Sequence, residues 1–170
     1  MTASHVEVLR KAKSNHLQNH PMKIEQADIS KKPVSFREAT ARGSIRLRTE
    51  TIKRIRENKL EKGDALGVAE TMALLAVKRT PDMIALCHPL RVERTSVETK
   101  LTKDRIEVTV TVSAHEKTGV EMEALAAVSI ALLNIWDMTK AYEKDEDGQY
   151  PGTRIEEIRV LKKVKRVEGP

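Results

Sequence analysis

Reactive side chains gather at three places where the apolar pattern of the chain breaks. The first is Lys62-Gly63-Asp64, just ahead of a helical stripe. Glycine lets backbone approach a ligand, and a lysine beside a positive helix end suits a phosphate. Taken alone, Lys62 is more often a solvated lysine before an N-cap. The second place runs from Lys78-Arg79-Thr80-Pro81-Asp82 into Leu86-Cys87-His88-Pro89-Leu90. Lys78, Arg79 and His88 around a proline-punctuated loop can converge on an oligophosphate, and histidine can move protons near neutral pH. Cys87 is the one cysteine of the chain, whereas zinc asks for three or four ligands, so no metal site is expected. Cys87 is more often a small buried hydrophobe. His88 alone is a satisfied loop histidine at least as often as a functional one.

The third place is Lys117-Thr118-Gly119-Val120-Glu121-Met122-Glu123-Ala124, which opens a helix ending near Asp137-Met138-Thr139-Lys140. Glu121 and Glu123 are also ordinary complements of a helix dipole. Asp137 and Lys140, three residues apart, share a helix face. They suit either a surface ion pair, worth little, or a lysine held by an aspartate for acid–base work. Glu123 and Asp137 are fourteen positions apart, which on one helix is about 21 Å along the axis. One nucleotide-sized ligand can hardly be served by both ends of that helix. Either the substrate meets only one end, or a second subunit supplies the other, and a site at a subunit interface is expected.

The elements that position these groups follow from periodicity. Ser35 to Arg48 alternates, with Ala39, Ala41, Gly43, Ile45 and Leu47 on one face, as in a strand closely covered by something. Thr49 is expected to cap a helix carrying Ile52 and Ile55, and Asp64 to cap the next. From Ala65 the apolar positions 65, 68, 69, 72, 75 and 76 form a helical stripe, with Pro81 expected to stop it. Val92 to Leu101 and Arg105 to Ser113 read as strands around a Thr102-Lys103-Asp104 turn, with Ile106, Val108, Val110 and Val112 inward. A loop over His115 to Gly119, a long helix from Glu121 to about Tyr142, an acidic loop to Gly152 and a last strand from Ile155 to Val164 complete the order. Strand, helix, helix, strand, strand, helix, strand is the split βαβ pattern with one extra helix, an α+β fold with helices on one face of an antiparallel sheet.

With 170 residues the chain suits one domain, here 23–170 behind a polar, flexible arm over 1–22. One Trp, one Phe and two Tyr leave an aliphatic core. The single cysteine excludes an intrachain disulfide and fits a reducing cytoplasm. No secretory leader or unbroken apolar run of membrane length is visible. The net charge of +6 implies an anionic partner. The cations are spread along the chain rather than gathered in polybasic tails.

The same blocks, Lys62-Gly63-Asp64, Lys78-Arg79-Thr80, Leu86-Cys87-His88-Pro89-Leu90, the run Lys117 to Leu125 and Asp137-Met138-Thr139-Lys140-Ala141, resemble the signature of the cyclic pyranopterin monophosphate synthase family (molybdenum cofactor biosynthesis protein C). They occur in that family's order and spacing, from about Asp28 to Lys162. The resemblance implies a ferredoxin-like fold and a homohexamer, a trimer of dimers with sites at subunit interfaces. It implies a lyase converting 3′,8-cyclo-7,8-dihydroguanosine 5′-triphosphate, made by a radical S-adenosylmethionine enzyme, to cyclic pyranopterin monophosphate with loss of pyrophosphate. Carried over, Asp137, Lys140 and Lys62 are catalytic. Leu86, Cys87, His88, Glu121, Met122, Glu123, Lys78, Arg79 and Lys117 bind substrate. The chemistry requires no redox cofactor, though a divalent cation such as Mg can accompany the triphosphate.

There are departures from the family. Ala85 stands where members usually carry proline, and the Glu143 to Gly152 loop is longer and more acidic than in many bacterial relatives. Lys165-Arg166-Val167 replaces a glycine-rich tail. Two rivals remain in view. An RNA-binding domain of split βαβ order would stack bases on sheet aromatics, but the expected strands carry only Phe36. No nucleic-acid or membrane partner is therefore expected. A hexameric scaffold without catalysis would not need Lys62, His88, Asp137 and Lys140 together.

Overall fold

The computed structural model describes residues 23–167; the polar arm expected over 1–22 lies outside them. The elements come in the expected order: β1 (Ser35–Arg46), α1 (Thr49–Arg56), α2 (Ala65–Met83), β2 (Arg94–Leu101), β3 (Arg105–Glu116), α3 (Glu121–Glu143) and β4 (Arg154–Arg166). The strands form one sheet in the order β2-β3-β1-β4, antiparallel throughout. That is the ferredoxin-like split βαβ arrangement, with α2 and α3 side by side over the sheet.

The valine alternation of β3 fixes which face is covered. Ile106, Val108, Val110 and Val112 are fully buried and lie opposite Ile45, Gly43, Ala41 and Ala39 of β1. Each buried Ile or Val stabilises the fold by about 1.5–3 kcal/mol. Small residues on β1 let α3 settle close. A Cβ on Gly43 would come within 2.8–2.9 Å of Ile158, Leu132 and Val128. The strand is thus closely covered, as its small residues implied. β3 runs on through Glu116, beyond the expected Ser113, because Ser35, Phe36 and Arg37 of β1 supply partners there.

Two helix starts and stops differ from expectation. Thr49 does not cap α1. The cap residue is Arg48, with no side-chain cap of its own; its N–H donates to the Glu143 carboxylate at 3.0 and 3.2 Å. A carboxylate distant in sequence has taken the capping role. Pro81 does not end α2, which continues to Met83. So near the helix end, the missing N–H deprives only the Val77 carbonyl of its donor.

The buried stripe of α2 also differs. Ala65, Ala69, Ala73, Ala76, Val77 and Thr80 are inward, while Val68, Leu74 and Leu75 are 38–43% exposed. Alanine lets α2 approach α3 closely, and the larger side chains are left outside. α3 is long and apolar enough to cross a bilayer by length and composition, yet half of its most apolar window is buried in this fold. Ala124, Val128, Ala131, Leu132 and Ile135 belong to the core.

Candidate active site

The candidate residues divide between the two ends of α3. At its C-terminal end, Asp137 takes one lysine on each carboxylate oxygen. Lys140 Nζ lies 2.7 Å from Oδ1. Lys62 Nζ donates to Oδ2 at 2.6 Å and to the Asp137 carbonyl at 2.8 Å. The hydrogen bonds from Lys140 and then Lys62 hold the Asp137 carboxyl down at about 2. In return Asp137 pushes the Lys140 ammonium above the usual lysine value. All three side chains are about half exposed, at 45–55%. Asp137 and Lys140 line an open cleft of about 390 Å³ with Leu133, Trp136 and Ile155. A second cleft of about 390 Å³, by Lys53, Arg56 and Lys103, contains none of the candidates.

Lys62 reaches this end because its turn is anchored there. Gly63 takes φ +86°, a conformation that costs glycine little. Asp64 Oδ1 then accepts from Leu66 N at 3.1 Å and Gly67 N at 3.0 Å, starting α2 as expected. The Tyr142 hydroxyl accepts from Glu61 N at 2.9 Å, and Arg54 lies over the Tyr142 ring at 5.0 Å. Below them, buried Glu143 accepts from Thr51 Oγ1 and Thr153 Oγ1, each at 2.5 Å, in addition to Arg48 N.

At the N-terminal end of α3, Leu86, Cys87, His88, Met122 and Glu123 line one cavity of about 240 Å³. Glu123 is 3% exposed, and its Oε2 has no hydrogen-bond partner. Burial pushes its carboxyl above the usual glutamate value, with the neighbouring Glu121 charge adding to this. Burial, then the Glu123 charge, pushes the Cys87 thiol up as well, which works against thiolate character there. Glu121 pairs with Lys163 of β4. Its carboxylate folds over Gly119 so closely that a Cβ there would overlap it.

The remaining candidates lie outside that cavity lining. Lys117 Nζ donates to the Ser30 carbonyl at 2.9 Å. Lys78 lines a separate cleft with Glu93 and Arg94, and Arg79 is exposed near the end of α2. Sequence reasoning passed over Tyr142, Glu143 and the stretch 26–32, whose Ala27, Ile29 and Lys32 enter the cavity wall. That stretch has no periodicity to signal it. Its one local sign is the turn in which Asp28 Oδ1 accepts from Ser30 N at 2.8 Å. Among the described residues no three His, Cys, Asp or Glu side chains are grouped to hold a metal.

The arrangement is that of an α+β protein whose α3 packs on a ferredoxin-like sheet and ends in an aspartate shared by two lysines. Residues 26–166 match the MoaC family, and the chain belongs to that family. Among its relatives is the probable cyclic pyranopterin monophosphate synthase of Sulfurisphaera tokodaii, 54% identical over 138 residues, covering 81% of this chain and 91% of the relative. The protein of the same description from Pyrococcus abyssi is 54% identical over 142 residues, covering 84% and 89%. A Methanothermobacter thermautotrophicus relative, described as a probable cyclic pyranopterin monophosphate synthase accessory protein, is 55% identical over 142 residues, covering 84% and 89%. The ferredoxin protease FusC, solved with Arabidopsis ferredoxin, overlays 62% of this chain and 11% of its own at a TM-score of 0.31 and 18% identity. That overlay is too loose to bear on the fold, which rests on the strand order itself.

Proposed function

We propose that this chain is a cyclic pyranopterin monophosphate synthase of molybdenum cofactor biosynthesis. It converts 3′,8-cyclo-7,8-dihydroguanosine 5′-triphosphate to cyclic pyranopterin monophosphate and releases pyrophosphate. Family membership over 26–166 supports the reaction, and the Lys62–Asp137–Lys140 bridge carries its acid–base half.

The rearrangement opens and recloses rings on the guanine-derived base, so protons must be delivered and removed at several atoms. Asp137 orients both ammonium groups into one locus. Because it holds Lys140 protonated, Lys140 is the acid in the resting site. A basic role for Lys140 follows only once substrate weakens its bond to Asp137. At the other end, a carboxyl with an unsatisfied oxygen suits the N–H edge of the base, so Glu123 would accept there. His88 stands beside it to meet phosphate charge as pyrophosphate leaves. Leu86, Cys87 and Met122 shape the apolar wall, and Glu121 holds the helix entry. A divalent cation, if used, would enter on the phosphate oxygens.

Along α3 the two ends are about 21 Å apart, so one protomer does not present both to one substrate. The homohexamer, a trimer of dimers with sites between subunits, would join one protomer's lysines to another's cavity. The exposed Val68, Leu74, Leu75 and Leu133 supply apolar surface for such contacts. A radical S-adenosylmethionine enzyme would supply the substrate, in the cytoplasm.

The test is incubation with enzymatically generated cyclised GTP, followed by detection of pyrophosphate and the pterin. Production of both supports the reading, and absence of both in the folded oligomer overturns it. Elution near six times 19.1 kDa on size exclusion would support the hexamer.

A further inference from the structure

The turn that carries Lys62 is docked on the C-terminal end of α3 at three points. Glu61 N donates to the Tyr142 hydroxyl at 2.9 Å. One residue on, Lys62 Nζ donates to the Asp137 carbonyl at 2.8 Å and to Asp137 Oδ2 at 2.6 Å. Asp137 and Tyr142 are five positions apart on one helix, about 7.5 Å along its axis. The anchor of the backbone and the acceptors of the side chain are therefore fixed relative to each other. The tyrosine ring is fixed in turn. It packs against the hydrophobic core, and Arg54 of α1 lies over it at 5.0 Å, a favourable place for a cation.

The turn needs such an anchor. Leu60, 7% exposed, roots it on one side, and Asp64 caps α2 on the other. Gly63, at φ +86°, is a permissive joint between Lys62 and that cap. A lysine stem gives up much rotamer freedom when its ammonium is held in one place, and water competes for an ammonium that is about half exposed. Fixing Glu61 N narrows the positions from which Lys62 sets out. Without the hydroxyl, that exposed N–H would bond to water, so the bond adds placement more than folding stability. Placement matters, since a shift of about 1 Å in a reacting group can cost about a hundredfold in rate. We infer that Tyr142 is a positioning residue for the reaction, acting through the Glu61 backbone on Lys62. The inference rests on the synthase reading of the site and deepens it.

Tyr142→Phe keeps the ring beneath Arg54 and removes only the hydroxyl, so far-UV circular dichroism and elution volume should match the parent. Two measurements on the intact oligomer test the rest. One is steady-state turnover of cyclised GTP; the other is competitive acetylation of the lysines by acetic anhydride, read by mass spectrometry. In Tyr142→Phe, kcat should fall about tenfold while KM stays within about twofold. The Lys62 amine, released from Asp137 part of the time, should label several times faster. Lys53 and Lys59, both paired with Glu57, should label at the parental rate. Unchanged Lys62 labelling, unchanged kcat, or a raised KM at parental kcat would each overturn the assignment. So would equal gains at Lys53, Lys59 and Lys62, which mark general loosening. Labelling needs no turnover. If the parent makes no pterin yet Tyr142→Phe exposes Lys62 alone, the reaction assignment fails and the placement of Lys62 by Tyr142 stands.

Discussion

Two carboxyl groups fourteen positions apart on α3 are driven in opposite directions by their surroundings. Asp137 is exposed and bridged by two ammonium groups, and its carboxyl falls to about 2. Glu123 is buried with an unpartnered oxygen, and its carboxyl rises. Partners decide the first and desolvation the second. One helix thus carries a carboxylate biased toward its charged form, bridging two lysines, at one end and a carboxyl biased toward its neutral form at the other. In the proposed reaction this difference would divide the labour, with proton traffic at the charged end and recognition at the buried one.

The sharpest way to break this contrast is at the lysines. Lys140→Ala should lower turnover by at least about a hundredfold while far-UV circular dichroism stays unchanged; normal turnover would refute the acid–base assignment. Asp137→Asn should also cut turnover. Losing the carboxylate removes what holds the Lys140 pKa up, so the basic limb of the pH–rate profile should move to lower pH. A basic limb left in place would mean that Lys140 titration does not govern the rate.

Glu143 tests whether burial alone explains the contrast, because it is as buried as Glu123 but fully bonded. Glu143→Ala strands two hydroxyls and one backbone N–H and should cost about 3 kcal/mol by urea denaturation. Glu123→Ala leaves no such donors behind and should cost less. A reversed order would show that hydrogen bonding is not what separates the two.

The smallest effects are in the pH dependence of stability. The raised Glu123 carboxyl favours folding most below its unfolded value near 4.5, and that benefit is lost as pH rises through the folded value. Glu123→Gln should therefore gain in Tm over the parent as pH increases above about 4.5, with no gain below. Asp137 behaves oppositely. Its contribution is present above the unfolded value of 3.8 and is lost as pH falls through about 2. Asp137→Asn should therefore be slightly less stable at neutral pH and converge with the parent in strong acid. Parallel Tm curves for the two variants would contradict the opposed shifts.

Much of this architecture is legible in the residues. β3 alternates without interruption because its valines face one covered side, and Asp64 caps α2 because its carboxylate is local. What is not legible is non-local. Arg48 caps α1 only through Glu143, and the alanines of α2 are chosen inward because another helix must lie close. Hydrophobicity alone favoured Val68 and Leu75 instead. The site divides the same way. Asp137 and Lys140 are neighbours by helical spacing, whereas Lys62 reaches Asp137 across 75 residues. Only resemblance grouped those three. The 26–32 segment is invisible to periodicity because it is irregular and held by side-chain bonds to carbonyls.

The last turn of a helix ordinarily frays, since its closing carbonyls lack partners. Glu143 denies α3 that freedom by fastening its end to the start of α1 and to Thr153 ahead of β4. Amide hydrogens around Asp137 and Lys140 should consequently exchange with solvent only when those three segments separate together. The lysine pair then experiences either a fully assembled protomer or a broken one, with few half-open forms between them.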